Sequence, residues 1–209
     1  MTIILTSDDF GLSTIYNEKI LEMLESNYLT STSVMVNRIS AKQTYQINEL
    51  ISINKNNCIS IGLHLELSEI DYINEIQLQF GLFEKYFGFA PDYIDIHKSN
   101  HFKGDYNKLA EFCNSKHIAF RQYPLTTCSV ASPTLSITAT NMNIEALEKT
   151  IEGFKNNKTY EIVFHIGVYD PNSRSKLNKE RELDIIKLIY INQLIKQRKL
   201  TLASYKCLK

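Results

Sequence analysis

The sequence predicts an α/β chain, a parallel sheet of about seven strands with helices packed on its faces. Two observations predict it. Short, continuous runs of β-branched and apolar residues recur along the 209 residues, as they do in strands buried on both faces. Longer segments of helical period lie between them, and such alternation builds βαβ units. Hydrophobic residues make up 44% and charged residues 22%, ordinary for a globular protein. The length suits one domain over residues 1–209, large enough to bury a core.

The elements follow in order. Thr2–Thr6 reads as the first strand and residues 15–25 as a helix; Thr30–Val36 is the second strand, with a helix over 41–51. Cys58–Leu65 is the third strand and 75–86 its helix; Tyr93–His97 is the fourth, followed by a helix over 106–115. His117–Arg121 is a short fifth strand. Residues 123–143, with Pro124, Pro133 and many Ser and Thr, read as a long loop, a kind of segment that often serves function. A helix over 144–155 then precedes the sixth strand, Glu161–His165. The last helix, 179–197, carries an apolar stripe of Ile185, Leu188, Ile189 and Ile195 at helical spacing, and a final strand spans 200–204. Periodicity does not separate a closed barrel from an open doubly wound sheet.

Charge excludes some functions. Lys and Arg total 23 and Asp and Glu total 23, so no basic footprint marks a nucleic-acid or anionic-membrane partner. No apolar run reaches membrane-spanning length, and the first nine residues meet Asp8 and Asp9 without the basic start of a signal peptide. The four cysteines are scattered without a CxxC pair, which reads as reduced thiols in a cytoplasmic protein. With 12 tyrosines and 10 phenylalanines, a homodimer is compatible with the composition.

Position is more informative than composition. Asp8 and Asp9 follow strand one, His64 lies near the end of strand three, and His97 ends strand four with His101 four residues on. Arg121 ends strand five and His165 ends strand six. The carboxyl ends of parallel strands share one face, where active sites sit. Four of the five histidines fall there, and His117, at a strand start, belongs to the opposite face. Singly, each has an ordinary explanation: Asp-Asp-Phe-Gly can be a turn, and a lone histidine at a strand end is usually a satisfied polar residue. Together they suggest a metal site. A carboxylate and two imidazoles leave positions open on a divalent ion for water and a substrate oxygen; a second carboxylate can take a proton, and an opposite acid can protonate a departing amine.

The residues also carry a family likeness. Thr6-Ser7-Asp8-Asp9-Phe10-Gly11-Leu12-Ser13 resembles the "ADDFGLS" opening of the YdjC-like carbohydrate deacetylases, and Thr30-Ser31-Thr32-Ser33 with Val36-Asn37, then Gly62-Leu63-His64-Leu65, resemble the next two motifs. Asp95-Ile96-His97-Lys98-Ser99-Asn100-His101 is similar to "DSHxHxH", and Phe164-His165-Ile166-Gly167-Val168-Tyr169-Asp170 to "CHPGYxD". Arg181-Glu182-Leu183-Asp184 and Ser204-Tyr205-Lys206 look like the carboxyl-terminal signature. The likeness runs in order along nearly the whole chain.

That resemblance implies a distorted TIM-like (β/α) barrel that hydrolyses the acetamide of N-acetylglucosamine-type sugars. Carried over residue by residue, Asp9, His64 and His97 hold the metal, Asp8 is the general base and His165 the acid. Arg121, His101 and Asp170 would bind substrate or support the ligands. The cofactor would be one divalent ion, magnesium or zinc, with manganese or cobalt as alternatives, and the partner a small carbohydrate. Three positions depart from the pattern: the segment between His64 and His97 is short, Ser99 stands where the family has histidine, and Ile166 where it has proline.

Two other readings use the same residues. Two histidines and a carboxylate also form the facial triad of non-haem iron oxygenases, although Asp95-x-His97 runs in reverse order for it and the β/α alternation does not suit that scaffold. A non-catalytic sugar-binding protein could keep the fold, but binding alone needs neither Asp8 nor His165.

Overall fold

The computed structural model describes residues 1–68 and 71–208. Strands and helices alternate as β1 (Thr2–Phe10), α1 (Thr14–Glu25), β2 (Ser31–Val34), α2 (Thr44–Asn57), β3 (Ser60–Leu65), α3 (Tyr72–Phe87), β4 (Tyr93–Ile96) and α4 (Tyr106–Ser115). Then come β5 (Ala119–Phe120), β6 (Leu135–Thr138), α5 (Ile144–Glu152), β7 (Thr159–Phe164), α6 (Arg181–Gln197) and β8 (Thr201–Leu202). Every strand pair is parallel. The order is β5-β4-β3-β2-β1-β7-β6, with the short β8 beside the start of β1. The sheet curls into a half-barrel, so that Arg121, just past β5, reaches Glu161 on β7 at 3.0 Å. Among the described residues β5 and β6 do not pair, so the barrel stays open there. The Phe120 N–H on that side is taken by the Ala131 carbonyl of the following loop, at 2.9 Å.

The two faces of the sheet differ in chemistry because strand side chains alternate. Outward residues such as Ile3, Leu5, Ile61, Leu63, Ile94, Phe120, Ile162 and Phe164 join helix residues in one continuous apolar core. Inward, Ile4, Tyr93, Ala119 and Tyr205 make a small apolar plug, with the two tyrosine rings stacked 3.7 Å apart. Gly62 is required there, since a Cβ on it would lie 2.3 Å from the Tyr93 ring. Above the plug the interior is polar: Thr6, Asp8, Ser33, His64, Asp95 and Glu161 are all buried.

Several expectations are corrected. The predicted loop over 123–143 contains β6, a partly exposed edge strand whose Ser and Thr disguised it. β1 continues through the acidic pair to Phe10. In α6 the buried face runs through Arg181, Asp184, Leu188, Ile191 and Ile195, whereas Ile185 and Ile189 are only half-buried; two charged residues lead that face, and an apolar-periodicity reading does not see them. His117 is exposed and precedes β5, on the face opposite the strand ends.

Candidate metal and catalytic centre

The acidic pair owes its geometry to a defect in β1. Ser7 pairs with Thr32 and Phe10 with Val34, so one extra residue is accommodated on β1, a bulge that re-aims side chains. Within it Asp9 has φ of 71°, a left-handed conformation that costs a non-glycine residue about 1–3 kcal/mol and persists only where neighbours enforce it. The neighbours here are explicit. Gly11 donates its N–H to Asn17 Oδ1 at 2.7 Å, and its carbonyl accepts from Gln43 Nε2 at 2.7 Å. These contacts tie the turn after β1 to α1 and to the approach to α2. The two consecutive aspartates can therefore serve one cavity end together.

Asp8 faces the barrel interior. Both its oxygens accept from Arg121, Nη1 to Oδ2 and Nη2 to Oδ1, each at 2.8 Å. The same guanidinium reaches Asp95 Oδ2 at 2.5 Å and Glu161 at 3.0 Å. Thr6 donates to Glu161 at 2.8 Å, and Ser33 donates to Asp95. Burial alone would push the Asp8 carboxyl up, but Arg121, then His64 and His165, hold it below the usual carboxylate range. Asp8 is thus an ionised carboxylate whose orientation is fixed by a two-pronged ion pair.

Beside it, Asp9, His64 and His97 offer ligand-type atoms to one point. His64 Nε2 lies 3.1 Å from His97 Nδ1, and each is 3.4 Å from Asp9 Oδ1. Ligands about 2.1 Å from a cation and at right angles lie about 3 Å apart, so this triangle matches one face of a coordination shell. Asp9 Oδ1 is buried and accepts no hydrogen bond, while Asp9 Oδ2 accepts from Arg181 at 2.5 Å. A buried carboxylate oxygen without a donor is costly, and a cation would satisfy it. His64 turns its other nitrogen, Nδ1, to Asp95 at 2.6 Å, the carboxylate support usual behind a metal-bound imidazole. The donor set fits one divalent ion with mixed nitrogen and oxygen ligation.

A second group of ligand-type atoms, Asp8, His64 and Asp95, does not fit an ion in the same way, because Arg121 already occupies both carboxylates. Burial opposes charge on His64, yet Asp95, then Asp8 and Asp9, raise it well above the ordinary imidazole range. Burial likewise pushes the Asp9 carboxyl up, but His64, His97, His165 and Arg181 hold it well below the usual range.

The remaining candidates fall in different places. His165 follows β7, with Nδ1 2.9 Å from Thr140 Oγ1. Burial lowers its pKa, partly offset by Asp9 and Asp8. His101 sits in the turn Ser99–His101, exposed, at a cavity of about 370 Å³ lined by Glu66, Ile96, His97, Lys98 and Phe102 as well. Asp170 is buried; it accepts from Ser13 at 2.5 Å and from the Asn172 N–H at 2.8 Å, and so organises the loop after β7. Ser99 offers its carbonyl to the Tyr106 hydroxyl at 2.9 Å.

Asp95, Glu161, Arg181, Thr140 and Asp184 were not singled out as site residues from sequence. For four of them a signal existed: Asp95 and Glu161 stand two and four residues before His97 and His165, hence on the same sheet face, and Arg181 and Asp184 fall within the signature Arg181-Glu182-Leu183-Asp184.

Comparison with known proteins is consistent with this geometry. A family model described as "YdjC-like protein" matches residues 2–74. A carbohydrate deacetylase of Clostridium beijerinckii is 25% identical over 151 residues, covering 58% of this chain and 60% of that protein. The chain thus spans well under two thirds of the length of that curated relative. Among solved structures, a protein of Enterococcus faecalis V583 described as a cellobiose-phosphate cleavage protein superposes with a TM-score of 0.76 at 18% identity, covering 99% and 98% of the two chains. A family 4 acetyl xylan esterase of Clostridium thermocellum, in complex with a cobalt ion, gives 0.60 at 16% identity, covering 100% and 90%. At these identities the two structures establish the shared fold.

Proposed function

We propose that this chain is a metal-dependent carbohydrate deacetylase that removes the acetyl group from an N-acetylated sugar, of N-acetylglucosamine type and mono- or oligosaccharide in size. The observation that carries the reading is the unsatisfied Asp9 Oδ1, set 3.4 Å from imidazole nitrogens of both His64 and His97, with an Arg-clamped carboxylate as the next residue. The similarity to a carbohydrate deacetylase supports the substrate class.

Asp9, His64 and His97 would hold the ion, magnesium or zinc, with manganese or cobalt as alternatives. Bound there, a divalent cation would polarise the acetamide carbonyl and make water more acidic. Asp8 would accept the proton of the attacking water. Each of its oxygens keeps an acceptor position beyond the Arg121 contact, and the guanidinium holds it at a fixed angle. His165 would protonate the nitrogen as the C–N bond breaks. Because burial holds its pKa low, its charged form is a strong proton donor. The cavity beside His97 and His101 would receive the sugar, with Phe102 as an apolar wall.

Among the described residues no helix is long and apolar enough to cross a membrane, and all four cysteines are free. The free thiols suit a reducing compartment such as the cytoplasm. The test is acetate release from a panel of N-acetylated sugars with each of the four metals. Turnover that requires added metal and vanishes in His64→Ala is expected. Sugar binding with no acetate released under any metal would overturn the reading in favour of a binding protein.

A further inference from the structure

The nitrogen of His165 that is engaged by the protein is Nδ1, and its partner is unusual. Thr140 Oγ1 lies 2.9 Å from Nδ1 and also 2.5 Å from Asp184 Oδ2. A hydroxyl has one proton to donate. Asp184 is fully buried, and its Oδ1 accepts from Lys187 Nζ at 3.0 Å. The same Oδ2 also accepts the His165 backbone N–H at 2.9 Å. Both Asp184 oxygens therefore act as acceptors, and the short contact from Thr140 uses the hydroxyl's own proton. The Thr140 oxygen can then only accept from the imidazole.

We infer that Thr140 and Asp184 are positioning residues that fix His165 in its Nδ1–H tautomer and leave Nε2 as the atom that gains and loses the catalytic proton. Lys187 locks the arrangement, because it also donates to the carbonyls of Ala139 and Thr140 at 2.9 Å each. The Thr140 hydroxyl, set between Asp184 and the imidazole, passes the orientation of the buried side chain on to the ring. During turnover the neutral ring would take a proton from solvent at Nε2, give it to the amine nitrogen as the C–N bond breaks and return to the neutral Nδ1–H form, while the proton that Asp8 takes from the attacking water returns to solvent. The sidedness of the ring rests on the hydrogen bonds; its use in catalysis rests on the deacetylase reading above.

The test is the nitrogen spectrum of histidine in ¹⁵N-labelled protein, with the His165 signals identified by their loss in His165→Gln. Wild type is expected to show a protonated Nδ1 and a bare Nε2. Thr140→Val should shift the ring towards Nε2–H and lower kcat by about 10- to 100-fold, as loss of an outer supporting contact does, with KM little changed. Thr140→Ser should restore both. A bare Nδ1 in wild type, or a Thr140→Val spectrum that matches wild type, would overturn the inference. An Nδ1–H ring in a protein that releases no acetate would instead leave the tautomer assignment standing and defeat the deacetylase reading.

Discussion

The trough around Arg121 and the rim around Asp9 are neighbours, and each gathers carboxylates and imidazole within ligand distance of one another. In the trough the acceptors have donors: Arg121 reaches Asp8, Asp95 and Glu161, and Thr6 and Ser33 add two more bonds. At the rim Asp9 Oδ1 has none, although the atom is buried. Closeness of ligand-type atoms therefore does not distinguish a metal site from an ion-pair network. What separates the two is whether the carboxylate oxygens that face the site have donors, because a buried carboxylate oxygen without one is costly and a cation would satisfy it.

The sharpest way to break this comparison is Asp9→Ala. It removes a ligand and leaves Arg181, which is completely buried, without its anion. Loss of metal binding in a cobalt titration is expected, with a stability loss of about 3–5 kcal/mol in chemical unfolding. Unchanged cobalt affinity would make the rim no different from the trough. Asp8→Asn tests the other side. Metal affinity should stay near wild type while kcat falls by roughly 10²–10⁴-fold, and a fully active variant would remove Asp8 as the base. Asp95→Asn touches both regions through His64 Nδ1, and metal affinity should drop by about 10- to 100-fold. The last effect is one of pH. His64 is charged well above the ordinary imidazole range in the metal-free state, so a cation must displace its proton. Apparent affinity should rise with pH by about tenfold per unit while one proton is released. In chelated protein the same group acts oppositely: its raised pKa stabilises the fold below the unfolded imidazole value, and that contribution is lost as pH climbs through the folded one. Thermal unfolding with and without metal should therefore diverge with increasing pH.

Strand ends were the legible part of the site. Asp8, Asp9, His64, His97, Arg121 and His165 all stand at the carboxyl ends of runs that read as strands, and the parallel sheet brings those ends to one face. The curl that carries Arg121 across to Glu161 is not written in periodicity, because an open sheet and a half-barrel share the same alternation. Arg181 and Asp184 were visible as part of a family signature but not as site residues: in α6 they occupy the buried face, where periodicity expects leucine or isoleucine. Thr140 lay in a stretch read as loop, just past the partly exposed β6. Asp170, a motif residue, has contacts with Ser13 and the Asn172 N–H that shape the loop after β7.

The unclosed barrel has a consequence for the protein's behaviour in a crowded solution. An open sheet ends in two rows of backbone groups that can recruit a strand from another molecule. Here one end is β5, only two residues long, with its Phe120 N–H already taken by Ala131. The other is β6, four residues long and preceded by Pro133. Neither offers a template long enough to start a fibre or a strand-swapped pair, so brevity does for this chain what closure does for a complete barrel.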